Sequence, residues 1–414
     1  MKKNLKENFI WNSIGSLIYL FLQWILTVVV VRVLNYEAAG SYSLATSAAT
    51  MFHALALYSI RNFQVSDTKD EYTSGVYIFH RFLTCGIAFI FCILSNTVQG
   101  YTAEQLLCIV FYMLFKLSES FVDVYHGIDQ KALRMDIIGK SYIIRGCLTA
   151  IVFCLVLVIT KDLNLAILLM GAASILVIIV YDRPSANRFQ STNPEINWGQ
   201  ILSLFKKGFW LFLCTFLSNM IFVIPKYMLE SYWGKEFLGI YSSIATPTIV
   251  VQVAATLVFN PLITVFAYYH DNKDWGKFWK ALIKTCGAII GIGAISVIGA
   301  ALFGEWGLRL LFGESIVPYT YLLVPIVITT LLTAVARLFY MILTVIRDYR
   351  GLAISGFIAV VACVAIGPLL VGRYDMSGTN YSMMIPLIIQ IIFMILYSMH
   401  RNGTKNTPKA GKIK

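Results

Sequence analysis

Along the chain, apolar residues gather in blocks of roughly 20, the length at which a helix crosses a hydrocarbon layer, and each block is closed by a short polar segment. Lipid offers the backbone no hydrogen-bond partner, so blocks of this kind form helices rather than open strands. The pattern predicts spans at 9–31, 38–60, 76–97, 102–126, 141–160, 163–181, 208–229, 237–267, 281–303, 316–344, 351–371 and 379–399. The fold class is all-α integral membrane, with about twelve transmembrane helices. The first block follows Lys2, Lys3 and Lys6 as a secretory leader would. It is too long for one and no small-residue cleavage site follows, so it reads as the first membrane helix.

Several blocks carry polar residues at helical spacing. Span four holds Tyr112, Lys116, Glu119, Asp123 and His126 on one stripe. Span one holds Asn12, Ser16, Tyr19, Gln23 and Thr27, and span ten holds Thr330, Thr333, Arg337, Tyr340 and Thr344. In span seven Thr215, Asn219, Lys226 and Glu230 share a face, and Pro225 is expected to perturb the helix just before the lysine. An ionisable group in hydrocarbon costs about 2.5–3.5 kcal/mol, so such groups face a cavity or a partner. Lys116 and Glu119, three residues apart, also read as a plain structural ion pair, and Lys226 also reads as snorkelling outward beside Glu230. Hydroxyl and amide stripes by themselves serve helix packing. The cations carry the functional argument. Lys116, Lys226, Arg337 and Arg32, in a wet cavity, would suit an anionic substrate such as a phosphate or diphosphate. Glu119 and Asp123 are then candidates for coupling to H⁺ or Na⁺, or for counter-charges; Asn12, Tyr19, Gln23, His53, Asn219, Gln252 and Tyr340 are candidate polar lining.

The longest polar stretch, 182–207, divides the spans six and six. The expected organisation is an N-terminal six-helix lobe at 1–181, a cytoplasmic connection at 182–207, a C-terminal six-helix lobe at 208–399 and a basic cytoplasmic tail at 400–414. Within the connection, Trp198, Ile201, Leu202 and Phe205 beside Lys206 and Lys207 fit either an amphipathic helix in the interface or an extension of span seven. An internal echo supports the halves: Gly40-Ser41-Tyr42-Ser43 returns as Gly239-Ile240-Tyr241-Ser242, and the same offset pairs His53 with Gln252. Six helices per half give both halves one orientation, hence two pseudo-symmetric lobes around a central cavity, a plan of alternating-access transporters.

With 58% hydrophobic and 13% charged residues, a soluble fold is excluded. The net charge of +12 raises nucleic acid as a partner, and the placement of the 33 Lys and Arg residues answers against it. The cations follow loop parity. One side takes Lys2, Lys3 and Lys6; Arg61, Lys69 and Arg81; Lys131, Arg134, Lys140 and Arg145; Arg183, Arg188, Lys206 and Lys207; Lys273, Lys277, Lys280 and Lys284; Arg347 and Arg350; and the tail's Arg401, Lys405, Lys409, Lys412 and Lys414. The other takes only Arg32, Lys161, Lys235, Arg309 and Arg373. Both termini are therefore cytoplasmic, and the surplus faces the anionic lipid of the inner leaflet. All eight cysteines fall in spans, with no disulfide or zinc pairing to be read. The five histidines (His53, His80, His126, His270, His400) are scattered, and there is no phosphate-binding glycine loop and no HExxH. No catalytic residue, metal or cofactor is expected, and the chain does not read as an enzyme.

Two pairs of segments and a single one carry a family likeness: Val31-Arg32-Val33-Leu34 through Gly40-Ser41-Tyr42-Ser43; Ile60-Arg61-Asn62-Phe63-Gln64-Val65-Ser66-Asp67; and Asp123-Val124-Tyr125-His126-Gly127 with Arg134-Met135-Asp136-Ile137-Ile138-Gly139-Lys140-Ser141, the most specific. Over nearly its whole length the chain resembles bacterial polysaccharide repeat-unit flippases (O-antigen, capsule or teichoic-type) of the multidrug/oligosaccharidyl-lipid/polysaccharide exporter superfamily. The resemblance implies two six-helix lobes facing a cavity. It also implies export of an undecaprenyl-diphosphate-linked oligosaccharide across the bacterial cytoplasmic membrane, with glycan polymerase or glycosyltransferase partners. The chain looks similar also to lipid-linked peptidoglycan precursor flippases but lacks their two further helices. The competing expectation is a multidrug or metabolite cation antiporter of the same superfamily, which would favour acidic over basic cavity residues.

Overall fold

The computed structural model describes residues 5–67, 69–259, 262–345 and 348–405. Lys2, Lys3, Arg347, Lys409, Lys412 and Lys414, which enter the orientation argument, and most of the 400–414 tail lie outside the described residues.

The described secondary structure is helical. In order come α1 (Leu5–Val33), α2 (Tyr36–Leu57), the short α3 (Ile60–Ser66), α4 (Ser74–Val98), α5 (Ala103–Lys131), α6 (Met135–Thr160) and α7 (Leu163–Val177), then a π turn (Ile178–Asp182) leading into α8 (Arg183–Ala186). After the connection come α9 (Trp198–Trp233), α10 (Lys235–Ala245), α11 (Ile249–Phe259), α12 (Ile263–Asp271), α13 (Trp275–Phe312), α14 (Leu323–Val345) and α15 (Tyr349–Lys405). Polar side chains close the helix starts that hydropathy leaves open. Asn35 Oδ1 accepts from Ala38 N at 2.8 Å, Asp162 Oδ1 from Leu165 N at 3.0 Å, and Thr102 with Gln105 forms a capping box on α5.

Among the described residues, nine helices are long and apolar enough to cross a membrane. α15 counts once among them although Tyr374 and Asp375 leave helical geometry and break it into two arms. α2 is rich in Ala and Ser, and α5 carries the charged stripe, so neither reaches the hydropathy of its neighbours. Restoring these gives the twelve crossings that the pattern predicts. The predicted span 237–267 is interrupted: Thr246-Pro247-Thr248 forms a 3₁₀ turn between α10 and α11, as a proline that cannot donate requires. α9 runs unbroken from Trp198, so the amphipathic start is the extension of span seven, and the helix also continues through Pro225.

The chain divides into two compact units, Met1–Asn219 with Trp233–Ser243, and Met220–Tyr232 with Ile244–Lys414. In the first, α1 packs on α6, and α5 packs on α2, α4 and α7. The 182–207 segment is built into this unit. Thr73 Oγ1 donates to Glu195 Oε2 at 2.6 Å, Glu195 N to Gly75 O at 3.0 Å, and Ile201 and Leu204 join the core of Tyr58, Val76, Tyr77, Val124 and Ile128.

The sequence echo is also a contact within this unit. Ser43 Oγ lies 2.5 Å from Ser242 Oγ at a sequence offset of 199. A Cβ on Gly40 would stand 1.9 Å from the Lys235 carbonyl oxygen, and one on Gly239 would stand 1.9 Å from that of Tyr36. Each residue meets the offset equivalent of its partner's neighbour, so α2 and α10 touch about a local two-fold axis, and glycine is what lets the backbones approach.

In the second unit α14 packs against α13 and α15. Thr329 Oγ1 donates to Asn380 Oδ1 at 2.7 Å, and Thr330 to Thr248 at 3.0 Å. α13 exposes Ile283, Ile290, Ile295, Ile298 and Leu302 along its length, as a lipid-facing helix would.

Candidate functional site

The α5 stripe is the spine of a polar network inside the first unit. Lys116 Nζ donates to Glu119 Oε2 at 2.5 Å, one helical turn away. Tyr19 of α1 donates its hydroxyl to the other oxygen, Glu119 Oε1. Asp123, one turn further on, is clasped by two arginines, with Arg61 Nη1 at 3.2 Å from Oδ1 and Arg81 Nη2 at 2.9 Å from Oδ2. Arg61 also donates to Gln130 Oε1 at 2.8 Å. Tyr142 of α6 sets its ring 5.6 Å from that of Tyr19, tilted, and edge-on to that of His126 at 5.1 Å, tying the stripe to α6.

Two departures from the sequence reading matter here. Asp123 has no partner on its own helix, but the fold supplies two. Arg81, counted among loop cations, is fully buried in α4, and Arg61 heads the short α3. The reason is local. α2 ends at Leu57 with Tyr58 and Ser59 at positive φ, which leaves the carbonyls of its last turn without helical partners. Arg81 Nη1 and Thr84 Oγ1 donate to one of these, Ala56 O, at 2.6 and 2.8 Å. The same guanidinium reaches Asp123, so a helix end and a buried carboxylate are satisfied together. Two of the likeness segments meet through this pair, since Arg61 belongs to one and Asp123 opens the most specific. Gln64 Nε2, donating to Val124 O at 3.1 Å, reinforces the contact.

The network holds three cations against two carboxylates. Arg81 is wholly enclosed, whereas the side chains of Lys116, Glu119, Arg61 and Asp123 keep 18%, 14%, 23% and 21% of their surface. Four of its five charged side chains therefore keep part of their surface uncovered. Lys116 also sits 5.5 Å above the Phe115 ring and 5.9 Å from that of Tyr112.

A second network is sealed. Arg145 Nη2 and Ser141 Oγ both donate to Asp182, at 2.6 and 2.5 Å, and Arg145 Nη1 donates to Ser174 Oγ at 3.0 Å. His126 Nε2 lies 3.6 Å from Asp182 Oδ1. Arg145 too was counted as a loop cation and is instead 2% exposed; the π turn swings Asp182 inward to meet it. This cluster pins α5, α6 and α7 together. Neither arginine belongs to the loop set that orients the chain.

The remaining candidates fall as follows. Asn12, Gln23 and His53 are half-buried in the first unit, and the Gln23 amide and His53 Nε2 are buried atoms with no hydrogen-bond partner among the described residues. Asn219 Nδ2 donates to Thr50 O at 3.4 Å, and Arg32 is exposed at the end of α1. Lys226, Gln252, Arg337 and Tyr340 belong to the second unit. Lys226 is half-buried and Arg337 exposed, and neither forms an ion pair among the described residues. All eight cysteines are free, and no group of His, Cys, Asp and Glu among the described residues has the arrangement of a metal site.

The sequence pattern of the polysaccharide biosynthesis protein family matches residues 5–270. The capsular polysaccharide biosynthesis protein CapF of Staphylococcus aureus is 29% identical over 324 residues, covering 76% of this chain and 78% of that protein. Among solved structures, the lipid II flippase MurJ in its inward closed conformation superposes with a TM-score of 0.73 at 13% identity, over 96% of this chain and 89% of MurJ. A mutant of the Vibrio cholerae MATE transporter VcmN gives 0.66 at 12% identity, over 97% of this chain and 98% of that one. A MOP superfamily transporter from Pyrococcus furiosus gives 0.63 at 14%, over 98% and 97%.

Proposed function

Since the chain belongs to the polysaccharide biosynthesis protein family, and is a multi-pass membrane transporter rather than an enzyme, we propose that it is a flippase for undecaprenyl-diphosphate-linked oligosaccharide repeat units. It would carry them across the bacterial cytoplasmic membrane by alternating access, for assembly of a capsule or related surface polysaccharide. The likeness to CapF, a capsular polysaccharide biosynthesis protein, supports the polysaccharide class of cargo. The observation that carries the reading is the cation surplus of the reachable network. Lys116 and Arg61 are partly accessible, and Arg81 behind them keeps Asp123 neutralised. A diphosphate arriving there exchanges a carboxylate partner for its own oxygens and is held by charge-assisted hydrogen bonds. Lys226 and Arg337, which form no ion pair among the described residues, are the anion-binding cations proposed for the second unit, and Arg32, at the end of α1, is another proposed anion contact. Gln23 and His53 offer unused polar atoms to a sugar.

In this reading Glu119 and Asp123 are counter-charges. Each is paired with a cation, Glu119 with Lys116 and Asp123 with Arg61 and Arg81, which suits tuning of an anion site. A cation antiporter would need an acidic surplus here, and the network has the opposite balance. In the source organism, loss of this protein is expected to leave lipid-linked repeat units accumulating on the cytoplasmic leaflet, restored by the wild-type gene. Surface polysaccharide that persists unchanged in its absence would refute the proposal.

A further inference from the structure

Asp129 lies on α5 beyond the 102–126 span, 0% exposed, with neither carboxylate oxygen hydrogen-bonded among the described residues. Its charged neighbours come from every element around it, and each is committed elsewhere. Arg134, capping α6, is bound through Nε and Nη2 to Asp136 at 2.8 and 3.1 Å. Arg61 of α3 is engaged by Asp123 and Gln130. Asp182, of the π turn, is held by Arg145 and Ser141, and Tyr181 stands beside it. The environment therefore holds three carboxylates and three guanidiniums in closed pairs, Asp136 with Arg134, Asp123 with Arg61 and Asp182 with Arg145, and Asp129 is the odd acid. An ionised carboxylate buried without a partner costs several kcal/mol, whereas its protonated form is neutral. Burial, with Asp182 adding repulsion, pushes the Asp129 carboxyl up to about 7.

Three of these neighbours, Arg134, Asp136 and Tyr181, also line a cavity of about 360 Å³ that includes Lys140 and Arg188 and opens at this end of the first unit. The cavity thus shares three lining side chains with the charged surroundings of Asp129.

We propose that Asp129 is the proton-binding site of this transporter: the carboxyl is protonated in the conformation described here, and any rearrangement that admits water from the Arg134–Lys140–Arg188 cavity lets it release H⁺ to that water. The step is a simple transfer, carboxyl to water in one direction and back in the other. It rests on the flippase reading and extends it by naming the coupling group, in place of Glu119 and Asp123, which are taken up in ion pairs. The sign follows from the raised affinity: below neutrality the bound proton supports the present conformation, and as pH rises through about 7 that support is lost.

Asn matches a protonated carboxyl in size and charge, so Asp129→Asn is expected to insert and fold. Two measurements test the proposal on the full-length protein. In lipid nanodiscs, without substrate, the infrared difference spectrum on raising the pH through neutrality should show loss of a protonated carboxylic-acid carbonyl band. Asp129→Asn should lack that band, while Glu119→Gln and Asp123→Asn keep it. In proteoliposomes, one proton per cycle shifts the transported lipid's distribution about tenfold per unit of imposed pH difference, and the Asp129→Asn variant should show no shift. A carbonyl band unaffected by Asp129→Asn, or a variant with the wild-type response to the gradient, overturns the proposal. The infrared arm needs no lipid-linked sugar, so its failure is separable from failure of the flippase reading.

Discussion

At the scale of single residues, the account turns on charges inside a membrane protein being placed by partners. Lys116 is accessible and belongs to the proposed anion site. Lys116→Ala is expected to reduce export of surface polysaccharide to the level of the null strain while leaving membrane insertion intact, as read by surface glycan staining beside quantitative membrane blots. Arg337→Ala is expected to do the same if the second unit binds the same anion. Arg81 has another task. Its removal leaves Asp123 with one partner and the Ala56 carbonyl with only Thr84, so Arg81→Ala should destabilise the fold by about 3 kcal/mol, visible as a lower melting temperature in detergent. Combining it with Asp123→Asn, which removes the stranded charge, should recover part of the loss. The α5 stripe was legible in the sequence because it keeps to one face of one helix. Its partners were not. Arg81 and Arg145 lie near span ends, where a loop cation and a buried one look alike. Only the early end of α2 and the π turn before Arg183 supply the carbonyl and carboxylate that draw them in.

At the scale of elements, the closest helix contact is written in the sequence as the repeated Gly-x-Tyr-Ser. The echo at Gly40 and Gly239 indicates duplication, but it does not reveal that the two copies touch; that follows from the reciprocal backbone approach of α2 and α10. A valine at either glycine would put a side chain where a carbonyl already stands, so Gly40→Val and Gly239→Val should each lower the yield of folded protein, while Gly86→Val, with open space around it, should not. The serines provide a second check. Ser43→Cys with Ser242→Cys, in a background free of the other cysteines, should form a disulfide when a mild two-electron oxidant is added, giving a shift in mobility between reduced and oxidised gels after proteolysis between the pair. Helix boundaries were less legible than helix number. The break at Thr246-Pro247-Thr248 hides inside a continuous apolar run, and the kink at Tyr374 and Asp375 is marked only by a short polar gap.

At the scale of the whole molecule, hydropathy and charge parity sufficed for the all-α membrane class, because lipid leaves the backbone so few choices. Function was legible only as far as the likeness carried it. The family match places the chain among polysaccharide biosynthesis proteins, and the fold shared with MurJ and VcmN does not by itself separate an exporter of anionic lipid from an antiporter of cations. What separates them is the balance of the reachable network, with Lys116, Arg61 and Arg81 against Glu119 and Asp123. The measurement that meets this claim most directly is reconstitution of the purified protein in vesicles carrying a lipid-diphosphate-linked oligosaccharide in one leaflet, with headgroup exposure followed by a membrane-impermeant sugar-binding probe. The account predicts that the headgroup reaches the opposite leaflet with the wild-type protein and stays at the protein-free rate with Lys116→Ala. A headgroup that stays in its leaflet with the wild-type protein, in vesicles that do take up an organic cation against a proton gradient, would contradict it.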